Sequence, residues 1–500
     1  MNYNVAIRNN QSIPLKNIPE QSYHSFLEMN INLLKDRDDR HCVNYFGYPL
    51  ADSVKLFCCI ADDSMHLIYI SSCMVSKGST LNSFSKFNFA FEKFERELCE
   101  NFGLKYTDHP WFKPIRYAHN RVDKSKVMDN YPFYGVESEE LHEVGVGPVH
   151  AGIIEPGHFR FICNGEQIMH LEIQLGYQHR GVEQLFLQKK SLLEKTILAE
   201  SIAGDTTVGH TTAFANLWES LSDYRAEQDL QFTRTLALEL ERIAIHTGDL
   251  SALCTDIAYQ LGNSVLGRLR TPMVNYFQEW CGNRLSKGLI RAGRSNFPYT
   301  EFHAKRLNEI FAAYEPDFNE MMIKLFKLPS ALSRFERTGV VTHEEVKLIG
   351  TVGMAARMSG LNRDIRASHP HNLYSTINHE PIIKHHGDVY SRAQIRKEEI
   401  KQSIGYIKAL ISYVPTFTSL SEPELKPRPD MFALSLVEGW RGEICHCAIT
   451  NARGELALYK VKDPSFHNWL ALAQSVRNNE ISDFPICNKS FNLSYCGHDL

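Results

Sequence analysis

The sequence predicts an α+β protein with a small α/β region first and a mainly helical region after it. Residues 54–62 and the alternating residues 65–70 are typical of neighbouring strands, with Asp62 and Asp63 in the turn between them. From residue 190 to about residue 330, apolar residues recur at helical spacing. A two-stranded pattern returns in residues 437–469, so we expect a short β element near the C-terminal end.

Composition limits the possible functions. The 500 residues are 43% hydrophobic, so the chain can bury a large core and form two or more domains. The net charge of -4 and the lack of long basic runs argue against a nucleic-acid partner. No apolar run approaches the roughly 18 residues that span a bilayer, and residues 1–17 lack the apolar core of a secretory signal. We therefore expect a cytoplasmic protein with no transmembrane segment, whose twelve cysteines are free core thiols.

The first predicted domain covers residues 1–121. Residues 89–104 have apolar side chains at helical spacing, and Gly103 is expected to end this helix. Residues 108–117 are rich in proline and cannot continue it. The polar residues 122–144 are interpreted as an interdomain connector, and residues 145–500 as the second domain.

The second domain opens with a predicted β-hairpin that turns at Asn164–Gly165. A later helix has a long apolar stripe, with Glu239, Glu241 and Arg242 expected to lie off it. Residues 387–403 form a second amphipathic pattern, and a strand turn is expected at residues 452–454. Residues 470–500 carry enough apolar side chains to pack against the rest of the chain.

Eight motifs in this order resemble two related families. FERE, NFG and HPWFKP (residues 94–114) resemble the end of the small α/β peripheral-arm subunit of respiratory complex I, which can be fused ahead of the large subunit in group-4 membrane hydrogenases. GPVH, EPGHFR and GYQHRGVE (residues 147–183) resemble the opening of the complex I quinone-site subunit and of the nickel–iron hydrogenase large subunit. The resemblance runs from residue 89 to residue 469.

The resemblance also implies a metal site whose ligands are missing. Residues 200–219 resemble the first nickel–iron motif, in which a CxxC pair precedes a helix that starts like His210–Thr212. Ala203 and Thr206 stand at those cysteine positions, and Ser465 and Asn468 stand at the cysteines of the C-terminal DPCxxC motif. Methyl, hydroxyl and amide groups cannot replace thiolates on a soft metal centre. We therefore expect this chain to bind no metal or other cofactor.

The family cavity is expected to contain the candidate site residues. Glu155 matches the position of a hydrogenase proton gate, where complex I has a quinone-binding histidine, and Gly204 matches the position of the quinone tyrosine. Glu155 and Asp256 are the candidate proton-transfer residues. The candidate lining residues are His150, His158, Asp205, Thr206, His210 and Ser465. Thr206 and Ser465 are expected to lie side by side, with Glu155 in the same cavity.

Structural alternatives exist for each of these residues. Asp256 could be a helix-internal acid paired with Arg242 or Arg268, and Glu155 could be a surface loop acid. Asp205 could be the N-cap of the following helix. His210 could be a structural histidine bonded to the backbone. Arg363, Asp364 and Arg366 are interpreted as an ion-pair cluster rather than a substrate clamp.

As a function, the resemblance implies a subunit of a complex I-like, hydrogenase-related oxidoreductase on the cytoplasmic side of the inner membrane. The implied partners are a small iron–sulfur subunit, whose cluster delivers the electrons, and antiporter-like membrane subunits. One hypothesis is proton-coupled reduction of a quinone or another small acceptor. The other is a non-catalytic coupling subunit that transmits conformational change. An apolar channel ending near Thr206 and Glu155 would favour the first hypothesis, and a working hydrogenase is disfavoured by the missing ligands.

Overall fold

The computed structural model describes residues 3–150, 154–415 and 423–500. The strands are β1 (Val5–Ile7), β2 (Ser12–Pro14), β3 (Glu20–Gln21), β4 (Arg40–Pro49), β5 (Ser53–Asp62), β6 (Leu67–Ser76), β7 (Thr80–Asn82), β8 (Lys105–Thr107), β9 (His142–Val146), β10 (His158–Asn164), β11 (Gln167–Gln174), β12 (Ile290–Arg291), β13 (Arg294–Ser295), β14 (Met431–Glu438), β15 (Glu443–Thr450) and β16 (Leu456–Lys462). The α-helices are α1 (Tyr23–Leu34), α2 (Glu92–Phe102), α3 (Val182–Gln188), α4 (Leu192–Ala199), α5 (Thr207–Leu221), α6 (Gln228–Asp256), α7 (Gln260–Cys281), α8 (Glu301–Leu325), α9 (Pro329–Phe335), α10 (His343–Ile349), α11 (Met354–Arg357), α12 (Ile365–Ser368), α13 (Val389–Ile411), α14 (Ser465–Ser475), α15 (Phe484–Phe491) and α16 (Tyr495–Asp499). Short 3-10 turns cover Leu15–Asn17, Phe89–Phe91, Met128–Asn130, Asn372–Thr376 and Ile481–Asp483.

The N-terminal region is built on an antiparallel sheet in the order β1, β6, β5, β4, with β3 added parallel to β6. The predicted pairing of residues 54–62 with 65–70 is confirmed by the β5–β6 register. The α2 helix ends at Gly103, whose φ of 71° is the left-handed conformation that glycine adopts without steric cost. The α+β fold class is confirmed, and the division at residues 121 and 144 stays a prediction.

Two sheets stack face to face between layers of helices. The second sheet has the order β16, β15, β14, β2, so the N-terminal strand β2 completes a sheet made from C-terminal strands. Phe57 of the first sheet stacks on Phe432 of the second, with ring centroids 5.9 Å apart. Helices α1 and α2 cover the outer face of the first sheet, and α5 covers the outer face of the second. This arrangement places the N-terminus of α5 beside the β14–β15 turn.

The α6 helix runs through the centre of the helical region and is buried on nearly all sides. The prediction that Glu239, Glu241 and Arg242 lie off its buried face is wrong, because all three side chains are buried. Helices α5, α7, α13 and α15 surround α6, so its polar face meets protein instead of solvent. The charged side chains of this face therefore need partners from other helices.

The remaining predictions for the second domain are confirmed by local structure. Strands β10 and β11 form the predicted hairpin, and β9 adds a third strand to it. Residues 470–500 pack against the core, with Ile486, Phe491 and Leu493 buried. Across the described ranges, no helix is both long enough and apolar enough to cross a bilayer.

Candidate active-site cavity

A cavity of about 500 Å³ opens where the start of α5 meets the β14–β15 turn, the α15–α16 segment and the loop before β10. Its described lining residues are Ile154, Glu155, Gly204, Asp205, Arg441, Asn488, Lys489, Asn492, Leu493, Ser494, Tyr495 and Cys496. Most of these side chains are polar. Residues 151–153 of the same loop lie outside the described residues.

An ion pair between Asp205 and Arg441 forms one wall of the cavity. Two guanidinium nitrogens of Arg441 donate to the two carboxylate oxygens of Asp205, at 2.7 Å and 2.6 Å. Arg441 also donates to Thr206 Oγ1 at 3.0 Å and to the carbonyl oxygen of Asn492 at 2.5 Å. Its guanidinium lies 4.0 Å from the ring centroid of Trp440, whose indole donates to the Asp205 carbonyl. Arg441 therefore fixes the turn before α5 to the C-terminal segment.

The four positions that resemble metal ligands do not fit a nickel–iron centre. The Ala203 side chain has no donor atom, and Thr206 Oγ1 accepts from Arg441. Ser465 Oγ accepts from the Ser494 backbone at 2.9 Å. The Asn468 amide bonds the backbone N–H and carbonyl of Val352, which uses both ends of its side chain. Within the described ranges, no group of three or more His, Cys, Asp and Glu side chains could hold a metal ion.

His210 belongs to a fully buried hydrogen-bonded chain behind the cavity. Its Nε2 lies 3.0 Å from Asp463 Oδ2, and its Nδ1 lies 3.1 Å from His446 Nε2. The other ring nitrogen of His446 reaches the Tyr459 hydroxyl at 2.7 Å. The suggestion that His210 bonds only to the backbone is therefore wrong.

Burial influences the charge states of Asp463 and His446 in this hydrogen-bonded chain. Burial alone would raise the pKa of Asp463, but the hydrogen bond from His210 holds it below its usual value. Burial, aided by repulsion from His210, holds the pKa of His446 well below its usual value. The anionic carboxylate of Asp463 thus contacts the His210 imidazole, which in turn contacts the neutral imidazole of His446.

The hydrogen-bonded chain through His210 and Asp463 also joins the motif that contains Thr206 to the motif that contains Ser465. Asp463 Oδ1 accepts from the Ser465 backbone at 2.7 Å, and the backbone of His210 donates to the Thr206 carbonyl. The turns that carry Thr206 and Ser465 are therefore neighbours across the His210–Asp463 contact. Ser465 reaches the cavity only through Ser494, because its own side chain is fully buried.

Glu155 lines the cavity, as the sequence predicts, and is not a surface loop acid. Its side chain is half-buried, and Oε2 accepts from the Cys496 backbone at 3.4 Å. Gly157 permits this close approach, because a Cβ there would lie 2.6 Å from the Tyr495 ring.

His150 and His158 do not line the described cavity. Each bonds a backbone carbonyl of its own loop, that of Gly157 and that of Gly147 respectively. They fix the base of the loop that carries Glu155. His150 and His158 therefore have a structural role, which is to position this loop.

Asp256, the last residue of α6, does not line the described cavity either. Burial raises the pKa of its half-buried carboxyl, and the positive charge of Lys489 in the cavity wall opposes this shift. The suggested partners are wrong, since Arg268 pairs with Asp317 and Arg242 pairs with Glu239 and Glu399. Asp256 Oδ2 is buried and has no hydrogen-bond partner among the described residues.

Glu241, rather than Asp205, satisfies the N-terminus of α5. Its two carboxyl oxygens accept from the backbone of Val208 at 2.8 Å and of Gly209 at 3.4 Å. The N-cap residue of α5 is Thr206, whose side chain makes no capping bond. Burial raises the pKa of Glu241 to about 8, even though these two N–H groups favour its charged form.

Comparisons with known proteins find similar chains in two related families. The family described as "Respiratory-chain NADH dehydrogenase, 49 Kd subunit" matches residues 262–430. "Hydrogenase-4 component G" of Escherichia coli (strain K12) is 25% identical over 387 residues, which cover 77% of this chain and 67% of that protein. The chain is similar to large subunits of the group-4 hydrogenase and complex I type. This similarity assigns the chain to an oxidoreductase complex as one of its subunits.

Two further relatives represent the two branches of this type. The "Carbon monoxide-induced hydrogenase" of Rhodospirillum rubrum is 26% identical, over 69% of this chain and 95% of that protein. A component of the NADH-quinone oxidoreductase of Phocaeicola vulgatus is 25% identical, over 74% of this chain and 76% of that protein.

A buried group of charges in this chain was only partly predicted from sequence. We call it the core charge network, and it consists of Glu239, Arg242, His246, Arg357, Asp364, Arg366, Glu399 and Glu438. Arg366 makes a bidentate pair with Asp364 at 2.7 Å and 3.0 Å and reaches Glu399 at 2.8 Å. The predicted ion-pair cluster is present for Asp364 and Arg366. Arg363 is separate, because it donates to the backbone of Asp38 and Arg40.

Several residues of the site were not singled out from sequence. Arg441 and Trp440 lie in the VEGWRGE motif, and Asp463 lies in the DPSFHN motif, so motif position was the available signal. His446 and Asn492 carry no sequence signal of this kind. Their roles depend on contacts between segments more than 200 residues apart.

Proposed function

We propose that the cavity couples electron delivery to proton uptake within a membrane-bound oxidoreductase complex. The chain acts as a peripheral subunit on the cytoplasmic side of the inner membrane and holds no cofactor. Electrons arrive through an iron–sulfur cluster in a small partner subunit. Antiporter-like membrane subunits respond to the coupled proton uptake. The supporting observation is the convergence of Glu155, Asp205 and Arg441 on one polar cavity where the resemblance places a metal centre.

The proposed coupling is electrostatic. An electron that reaches a cluster near the cavity adds negative charge, and this raises the proton affinity of neighbouring carboxylates. Glu155 is the group placed to take up that proton, because it lies on the cavity wall without an ion-pair partner in the described contacts. Asp205 is held by Arg441, so it serves to position the cation rather than to accept the proton.

Quinone reduction receives less support from the cavity. The complex I pair of histidine and tyrosine is replaced by Glu155 and Gly204, so the residues present do not fit the family's way of holding a quinone headgroup. Ile154, Leu493 and Tyr495 are the apolar or aromatic contributors among the described lining residues. This polarity favours, as the second candidate, a non-catalytic coupling subunit that transmits conformational change.

The test compares Glu155→Gln with Glu143→Gln in the intact purified complex. Glutamine keeps the size of Glu155 and removes its titration, so electron flow or ion movement should slow by at least about tenfold. Glu143 of β9 pairs with Arg160 of β10 and lies outside the cavity. The Glu143→Gln complex should therefore turn over at the wild-type rate. Co-purification of the partner subunits checks assembly.

The two candidate functions give different results. A slow Glu155→Gln complex supports proton uptake at the cavity. A fully assembled Glu155→Gln complex with wild-type turnover would contradict it and leave the coupling subunit as the better description. Identification of the electron carriers that co-purify with the wild-type complex then names the donor and the acceptor.

A further inference from the structure

We propose that the core charge network is a proton route that joins the cavity to a second surface site at His379 and Tyr406, with Glu438 as the proton-holding group. This route deepens the proposed function, since it rests on proton uptake at the cavity. Its components lie on α6, α11, α12, α13 and the β14–β15 turn.

The cavity end of the route is the β14–β15 turn. This turn carries Arg441 on its cavity side and Glu438 three residues earlier on its core side. Arg242 of α6 donates to the backbone carbonyls of Glu438 and Gly439, at 2.9 Å and 3.2 Å. A Cβ on Gly353 would lie 2.2 Å from Gly442, so the turn is also pressed against the start of α11. Arg441 and Glu438 therefore lie in one tightly held turn, between the cavity and the core charge network.

A second connection runs through side chains. Arg441 bonds the carbonyl of Asn492, and the Asn492 amide donates to Asp249 Oδ1 at 2.7 Å. Asp249 Oδ2 accepts from Arg396 at 2.9 Å. Arg396 lies one helical turn before Glu399 on α13, so it brings this connection to the edge of the core charge network.

The surface end of the route is the half-buried Tyr406, whose hydroxyl contacts His379, a histidine with only 1% of its side chain exposed. His379 Nε2 lies 2.9 Å from Asp364 Oδ2, and its Nδ1 lies 2.9 Å from the Tyr406 hydroxyl. From Asp364 the contacts continue through Arg366 to Glu399. Glu399 Oε2 then reaches His246 Nε2 at 2.7 Å. The ring of His246 meets the edge of Trp440, the neighbour of Arg441.

Unpaired buried atoms lie between these two ends. The fully buried atoms Glu438 Oε1, Arg357 Nη2 and Arg396 Nη2 have no hydrogen-bond partner among the described residues, and the same holds for His246 Nδ1. Buried polar groups are nearly always hydrogen-bonded to protein or to ordered water. We therefore expect internal water molecules at these atoms, where they would bridge Glu438 to the rest of the route.

Charge counting identifies Glu438 as the protonated member. The network has three arginines and four carboxyl groups, so one carboxyl is in excess when every group is ionised. The arginines hold the pKa values of Glu239, Asp364 and Glu399 below their usual range despite burial. Burial, with repulsion from Asp364, raises the pKa of Glu438 to about 8.

The groups around Glu438 come from every helix packed on it. Arg357 lies 3.6 Å away, the backbone of Ile365 donates to Oε2 at 3.1 Å, and the His371 ring accepts from the Glu438 backbone at 3.4 Å. Arg242, Asp364 and Arg366 add their charges. In the proposed step the Glu438 O–H bond breaks and the proton passes through water to Glu155. The carboxylate is reprotonated through water from His379, which takes its proton through the Tyr406 hydroxyl.

The first test is infrared spectroscopy of the purified complex. Every protein in this comparison, the wild-type reference included, carries Glu241→Gln, because burial raises the pKa of Glu241 to about 8 as well. Wild-type protein should show the C=O band of a protonated carboxylic acid that disappears around pH 8. Glu438→Gln should lack that component. The control is Glu95→Gln, which removes a different buried acid whose pKa burial raises to about 7 and should leave the component near pH 8 unchanged. Absence of this component from the wild-type protein, or its persistence in Glu438→Gln, would overturn the inference.

The second test is turnover. Glu438→Gln and His379→Gln should each slow proton-coupled turnover by at least about tenfold. His379→Gln decides the matter if Glu438→Gln fails to assemble. Wild-type rates in these variants beside a slow Glu155→Gln would refute the route and leave the proposed function standing. The reverse pattern would overturn both the assignment of Glu155 and the proposed proton transfer from Glu438 to Glu155.

Discussion

The cavity ion pair and the core charge network are both made of arginines and carboxylates, but they differ in their access to water. The Asp205 side chain is 38% exposed, whereas the paired groups of the network are at or near 0%. Solvent screens a pair that has access to water and weakens its net contribution. A buried pair depends on its partners for nearly all of its stabilisation.

The difference shows how the two regions can divide one task. Asp205 can leave Arg441 at modest cost, because water reaches its carboxylate at the cavity wall, whereas the Arg441 side chain is only 3% exposed and stays bonded to Thr206 and Asn492. The network cannot lose an arginine without leaving a bare buried charge, so it changes its state by binding or releasing a proton. A movable pair therefore stands next to a rigid, titratable core.

The largest expected effect comes from breaking the network. Arg366→Met removes the partner of Asp364 and one partner of Glu399, and leaves buried carboxylates without their hydrogen bonds. We expect a loss of about 3–5 kcal/mol in the free energy of unfolding at neutral pH. Urea denaturation of wild type and variant measures it. A loss below about 1 kcal/mol would mean that water reaches this region.

The next effect depends on pH and concerns Glu241. Its pKa is raised from 4.5 to about 8 in the folded protein, so the native state binds the extra proton. Wild-type stability should therefore fall, relative to Glu241→Gln, as pH rises from about 4.5 to about 8, by at most about 1.4 kcal/mol per pH unit. Glutamine can still accept from Val208, so the helix start is retained. Parallel pH profiles of the two proteins would contradict this assignment.

A smaller effect is expected at the cavity pair. Asp205→Asn keeps one acceptor for Arg441, which also retains Thr206 and Asn492. The loss in unfolding free energy should be about 1–2 kcal/mol, clearly below that of Arg366→Met. The same denaturation experiment measures both variants side by side. Equal losses would show that solvent exposure does not separate the two regions.

The smallest effect is expected from metal removal. Elemental analysis of the purified chain should show no stoichiometric nickel, and a chelator should leave its Tm unchanged, because the four ligand-like positions lack thiolates and three of their side chains are already hydrogen-bonded. A ligand that binds only the native state would raise the Tm, and its removal would lower it. Stoichiometric nickel, or a fall in Tm with chelator, would contradict the metal-free assignment.

Local signals explain which parts of the fold were predictable. The β5–β6 pair, the helix that ends at Gly103 and the hairpin at Asn164–Gly165 each depend on residues that are close in sequence. The positions of Glu155 and Asp205 in one cavity followed from the order of motifs. These features need no knowledge of long-range contacts.

The network could not be predicted in the same way. Apolar periodicity marks one face of α6, but it does not show whether the other face meets solvent or protein. Glu239 and Arg242 are buried because α12 and α13 bring Arg366, Ser403 and Glu399 to that face, more than 100 residues later in the chain. Arg441 and Asp205 are likewise 236 residues apart. Only the folded chain reveals these partners.

The pairing of β2 with β14 has a consequence for synthesis of the protein. Ile13 pairs with Phe432, so β2 waits until 419 more residues have been made before its partner exists. At the usual speed of translation this takes about 20 to 80 s. During that time the apolar face that carries Phe46, Phe57 and Cys59 has no second sheet to cover it. The nascent N-terminal region is therefore expected to bind chaperones on the ribosome. It can be released only after the last third of the chain, which contains β14, has been translated.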